Sequence, residues 1–308
     1  MTHGEKLAAL GSGRTPGFCL TFSFPPKTRN PQRLLKAAWA YIDALQSLDA
    51  LIVSTVDSKI RPAFVLEELE AGSLRFWMKQ ALEVLEDDAL TRLDWKPQVC
   101  RYLVRAKYCF LELLAGKQAL PSRDELEDLS RKIHQLAVQT DARRMPAYSS
   151  VKALELAREA EKISAALRPL EKGDAVTFQC DDGDAALTPA LRVDQDQVNE
   201  LFAETRISGV RKRVFSVRRP DFLGDAKWEF RYEGRTISAK ITHQAWLEDY
   251  RAARFDIRPG DSLHVTAEEV FLFGKHSDVI REDYAISEVH AIVRQREQGM
   301  LMPQQECP

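Results

Sequence analysis

The spacing of apolar residues changes twice along this chain, and that change constrains the fold more than any motif does. Up to about residue 80 strand and helix periods mix. "FCLTFSF" (18–24) alternates apolar and small residues with period two, as a strand does. Leu34, Leu35, Ala38, Ile42, Leu45 and Leu48 then recur at helical spacing and make one apolar face. "ALIVSTV" (50–56) returns to β-branched residues. "IRPAFVLEELEAGSLRFWMKQ" (60–80) reads as two strands about a turn at Ala71-Gly72-Ser73. The opening is therefore predicted as a β-α-β-β unit.

From about residue 80 to 168 the helical period takes over. "ALEVLEDDALTRL" (81–93) is amphipathic, and Pro97 suits the start of the next helix, where its missing N–H is no loss. That helix, "QVCRYLVRAKYCFLELLAG", carries Arg101, Arg105, Lys107 and Glu112. It is expected to be a buried helix with its long charged side chains snorkelling to the edge, not a membrane span. Ser122 with Glu125 forms a capping box before the stripe Leu126, Leu129, Ile133 and Leu136. A last helix (150–167) ends at Pro169.

After "EKGD" short strand-like runs return, with one helical run, "HQAWLEDYRAARF" (243–255), among them. "KWEFRYEGRTISAKI" reads as a hairpin with Glu233-Gly234 at its tip, and the runs near 262–274 and 284–295 as a closing antiparallel pair. The fold class is α+β: an N-terminal β-α-β-β unit with a helical bundle, then a small antiparallel β domain, a curled sheet or barrel with one helix. The expected domains are 18–170 and 174–296, between flexible tails at 1–17 and 297–308.

Composition narrows function by exclusion. A net charge of -2 excludes a globally basic nucleic-acid binder and leaves room only for a local patch. The five cysteines (19, 100, 109, 180, 307) are odd in number and irregularly spaced, so reduced thiols are expected, not a disulfide framework. The opening residues lack the apolar core of a signal peptide, and no stretch of about 18 uncharged apolar residues occurs. A cytoplasmic protein without a membrane span is expected.

Candidates for chemistry are few. "CDDGDAAL" (180–187) lacks the ligand alternation and terminal Glu of a calcium loop and reads as a polar hairpin turn. Glu67, Glu68 and Glu70 fit a solvated strand face. His134, His243, His264, His276 and His290 show no i, i+4 zinc spacing. No nucleophile elbow, P-loop or dinucleotide fingerprint occurs. Asp221, Glu229 and Arg231 mimic a PD-(D/E)xK nuclease signature, with Arg where the Lys belongs, a damaging exchange because Arg keeps its proton.

The remaining candidate is "SGVRKRVFSVRRPDF" (208–222). Arg211, Lys212, Arg213, Arg218 and Arg219, followed by Lys227, crowd a short segment, with Arg231 and Arg235 interleaved among Trp228, Phe230 and Tyr232. Basic and aromatic side chains on a sheet bind single strands through phosphate contacts and stacking. The plainer reading is a solvated strand whose aromatic residues are core.

The runs "LDALIVS…RPAFVLEELEAGSLRFW" and "KWEFRYEGRTISAKIT…WLEDYRAARFDIRPGDSLHV" resemble hypothetical bacterial proteins of mobile or defence islands. The resemblance implies an accessory or sensing component and assigns no site. The reading is a non-enzymatic binding or scaffold subunit of a bacterial multi-component system, such as antiphage defence. It would contact a protein partner or a second copy, and nucleic acid through Arg211, Lys212, Arg213, Arg218, Arg219 and Lys227. No cofactor, metal or catalytic residue is expected. The rival is a metal-dependent nuclease centred on Asp221 and Glu229.

Overall fold

A computed structural model describes residues 16–25, 28, 30–55, 60–70, 74–84, 96–139, 150–221, 226–275 and 278–294. The chain forms two compact units that divide between Leu201 and Phe202. The fold is α+β, as the alternating periods predict.

In the first unit β1 (Gly17–Ser23) is followed by the helix α1 (Gln32–Ser54), then β2 (Ile60–Leu69) and β3 (Leu74–Val84). The β-α-β-β order is as read, but two boundaries move. "ALIVSTV" continues α1 as far as Ser54, because Ile52 and Val53 are buried on the same stripe as Leu45 and Leu48. Burial overrides the weak helix propensity of β-branched residues. Leu35, placed on the apolar face, is instead 59% exposed. The first residues of "ALEVLEDDALTRL" belong to β3, where Ala81 lies opposite Ala63 and Glu83 opposite Arg61; residues 85–95 lie outside the described residues.

Three helices follow, α2 (Lys96–Leu114), α3 (Arg123–Gln139) and α4 (Ala153–Leu167). The predicted capping box is present: the Ser122 N–H donates to Glu125 Oε2 at 2.8 Å, and the Glu125 N–H to Ser122 Oγ at 3.3 Å. Lys107 does not snorkel. Its side chain is fully buried, and Nζ donates to both oxygens of Asp49 at 2.7 Å and to Gln80 Oε1 at 2.5 Å. The aromatic faces of Phe18 and Phe64 lie 5.2 and 5.0 Å from the ammonium. The four described cysteines are buried free thiols, and no described helix is long and apolar enough to cross a membrane.

The division expected at 170–174 is displaced. The strands β4 (Ala175–Cys180) and β5 (Gly183–Leu187) complete the first sheet, in the antiparallel order β2-β3-β1-β4-β5. Val176, Phe178 and Cys180 are buried, and Phe178 stacks on Phe18 at 5.0 Å. "RPLEKGD" is thus a turn inside the unit: Asp174 is buried and accepts from Arg33 at the start of α1. A short helix, α5 (Gln195–Phe202), ends at the true division. Of the two expected tails, Gly17 and Pro16 are ordered with β1, while 1–15 and 297–308 lie outside the described residues.

The second unit is a closed barrel of β6 (Thr205–Arg219), β7 (Trp228–Tyr232), β8 (Arg235–Ile241), β9 (Ser262–Phe273) and β10 (Val279–Val293). One helix, α6 (Gln244–Arg251), lies between β8 and β9. Neighbours are antiparallel except β8 and β10, which pair in parallel and close the ring. The β7–β8 hairpin turns on Glu233 (φ 47°) and Gly234 (φ 79°), the two positive φ values that a tight two-residue turn needs. Alternate residues fill the interior, among them Phe215, Val217, Trp228, Phe230, Ile237, Leu263, Val265 and Tyr284. Trp246 and Tyr250 of α6 pack on Trp228 at one end, with ring centroids 5.8 and 5.1 Å away.

Candidate functional site

Strand alternation sorts the six basic residues of the opening candidate. In β6, Phe215 and Val217 point into the barrel, so Arg213 shares their face and Lys212 and Val214 face outward. Arg213 is committed to an internal contact. Its Nε and Nη2 donate to Glu269 at 2.6 and 3.0 Å, and its guanidinium lies 5.8 Å from the Tyr232 ring centroid. The Glu269 carboxylate holds Arg213 above its already high range. Arg211 lies two residues nearer the strand's start, exposed, opposite Ala267.

A register break between Val217 and Arg219 in the β6–β7 pairing turns both Arg218 and Arg219 to solvent, as bulges do. Arg218 donates to Thr236 Oγ1 at 2.8 Å, and Lys227 pairs with Asp283 at 3.0 Å. Around the β6–β7 connection Arg218, Arg219, Asp221, Lys227, Glu229 and Pro259 line a half-open cleft of about 490 Å³. Asp221 Oδ2 accepts the Ala226 N–H at 3.1 Å, tying together the described ends of that connection.

Arg219 and Glu229, on β6 and β7, belong to the lining of the cleft. Arg231 and Lys240 are exposed on β7 and β8, a pair that the period-two alternation of "KWEFRYEGRTISAKI" marks as outward. Lys212, Arg219, Arg231 and Lys240 enter no side-chain ion pair or hydrogen bond among the described residues. The interleaved aromatics do not join this face. Trp228 and Phe230 are 2% and 0% exposed in the core, so these two rings form no stacking platform on that face.

The nuclease pair, Asp221 and Glu229, does share the cleft, whereas Arg231 is not part of its lining. Among the described residues no three His, Cys, Asp or Glu side chains gather as a metal site would require. The other candidates are absorbed by structure. Glu67 pairs with Lys79 at 3.1 Å, and Glu70 accepts from Arg75 and from Trp77 Nε1 at 2.9 and 3.0 Å. "CDDGDAAL" forms the β4–β5 hairpin, with Asp182 paired to Arg105 at 3.1 Å. His243 Nδ1 accepts the Val289 N–H at 3.1 Å, and His290 bonds Thr266 at 2.7 Å. His276 lies outside the described residues.

No family model matches the chain, and neither a curated protein nor a solved structure does.

Proposed function

We propose that the barrel is a binding module for single-stranded nucleic acid in a non-enzymatic scaffold or binding subunit. The setting implied by the sequence resemblance is a bacterial multi-component system such as antiphage defence. The observation that carries the reading is a set of outward cations on β6–β8, Lys212, Arg219, Arg231 and Lys240, which stand unpaired among the described residues, with Arg219 in the lining of the cleft. Cations left free of internal partners are available to phosphates. Five-stranded barrels of the OB type bind oligonucleotides on the face of their second and third strands and the adjoining loop. Here those positions are β7, β8 and the described ends of the β6–β7 connection, Asp221 and Lys227. Arg213 is left out of the proposed interface because its guanidinium is bonded to Glu269.

Anisotropy titration of labelled 15-mer single strands across 25–200 mM salt tests this. The wild type should bind with steep salt dependence, and Lys212→Ala with Arg219→Ala should flatten the slope by about 0.7 per lost phosphate contact. Absence of binding at the lowest salt would overturn the reading. The shared placement of Asp221 and Glu229 favours one alternative, a metal-dependent PD-(D/E)xK-like nuclease. Cleavage of either strand form with magnesium or manganese, lost in Asp221→Ala and Glu229→Ala, would establish it instead.

A further inference from the structure

We propose that the cleft reads a guanine base through Glu229, while Arg219 holds the adjoining phosphate. The inference rests on the single-strand reading above. A groove meant only for phosphate has no use for a carboxylate in its lining, where Glu229 stands. Glu229 lies outward on β7, half-buried, between Arg219 across one strand pairing and Ser238 across the other. Arg219 and Glu229 are thus direct cross-strand partners of opposite charge, yet neither side chain enters an ion pair or hydrogen bond among the described residues. Both remain available to a ligand that needs an acceptor beside a cation.

The chemistry of that ligand follows from donor counting. An ionised carboxylate only accepts, through two adjacent oxygens, and it binds best where two parallel donors meet it. The Watson–Crick edges of unpaired bases are exposed in a single strand. Guanine presents N1–H beside N2–H₂, two neighbouring donors. Adenine and cytosine each set an amino group beside a ring-nitrogen acceptor, and thymine sets its one N–H between two carbonyls. Only guanine satisfies both oxygens without placing an acceptor against one of them. A cleft of about 490 Å³ has the capacity of an ordinary small-ligand site, enough for one extruded nucleotide.

The test uses the full chain and four labelled thymidine 15-mers, one all-thymidine and three with a single central guanine, adenine or cytosine. The wild type should hold the guanine strand about tenfold tighter than the others, as a good bidentate base contact does. Glu229→Gln should lose that preference, since an amide's one donor and one acceptor can meet a neighbouring donor and acceptor on any of the four bases. Its affinity for all-thymidine should not fall, because a negative charge has been removed, and an unchanged melting temperature would show that the fold is intact. Equal wild-type binding to all four strands, or a guanine preference that survives Glu229→Gln, overturns the inference and leaves the single-strand reading standing. No binding to any strand overturns both.

Discussion

Arg213 and Glu269 are joined by two hydrogen bonds across β6 and β9, and this places one residue of the "RKR" run in the barrel's interior chemistry while its neighbours face water. Arg213→Ala leaves the buried Glu269 carboxylate without its cation. Chemical denaturation should show a loss of about 3 kcal/mol, as for other broken internal pairs. Arg211→Ala and Lys212→Ala should each change stability by less than about 0.5 kcal/mol. Equal small effects at all three positions would contradict the assignment of Arg213.

The Lys107–Asp49 pair makes a sharper test in the first unit. Burial holds the Asp49 carboxyl above its usual range against the pull of Lys107, and holds the Lys107 ammonium below its own. Lys107→Met strands the carboxylate, at a cost of about 3–5 kcal/mol near neutral pH. A carboxyl whose folded pKa is raised binds its proton more readily folded than unfolded, so stability is lost as pH rises from the carboxylate range. The deficit of Lys107→Met should therefore shrink as the pH is lowered toward about 4. Adding Asp49→Leu should restore most of the stability and abolish that pH dependence, read by denaturant melts across pH.

The β7–β8 turn is not optimal at its first position. Glu233 holds φ 47°, a conformation that Asn adopts at lower cost, and Gly234 follows at 79°. Glu233→Asn should raise stability by about 0.5 kcal/mol. Gly234→Ala should lower it by about 1 kcal/mol purely through the backbone, because an added Cβ meets nothing within 4 Å. Differential scanning calorimetry resolves both signs.

Truncation locates the unit boundary. A fragment of residues 1–170 lacks β4, which lies beside β1 within the first sheet, and lacks Asp174, the partner of Arg33. It should fail to give a cooperative melt, whereas a fragment of residues 1–201 should unfold cooperatively. A stable 1–170 piece would restore the earlier division.

Elements were legible wherever one period ran long enough, as in α3 with its Ser122–Glu125 cap or the Glu233-Gly234 hairpin. What misled was local composition standing in for pairing. "EKGD" has the residues of a linker, but Phe178 four residues on is a core residue against Phe18, a contact that spacing within either segment does not contain. Lys107 shows the same limit. Its charge argues for an edge, and only Asp49, 58 positions away, makes burial tolerable. At the site, alternation correctly separates Lys212 from Phe215. The register break after Val217, which turns Arg218 and Arg219 outward together, has no signature in "VRRP". Nor does the partner that removes Arg213, since Glu269 is 56 residues distant.

The parallel pairing of β8 with β10 bears on how the barrel is made. Both neighbours of β10, β8 and β9, precede it in the chain, so the ring stays open until the last strand is synthesised and inserted. Thr205 meets Phe273 only after 67 intervening residues have been placed. High mean separation of this kind slows folding, because chain-closure entropy is lost before the contacts that offset it form. A ribosome-bound chain ending before Val279 would carry the edges of β8 and β9 unpaired, the state in which strands find the wrong neighbour. The strand that completes the barrel is thus also the one whose late arrival leaves two strand edges open to mispairing.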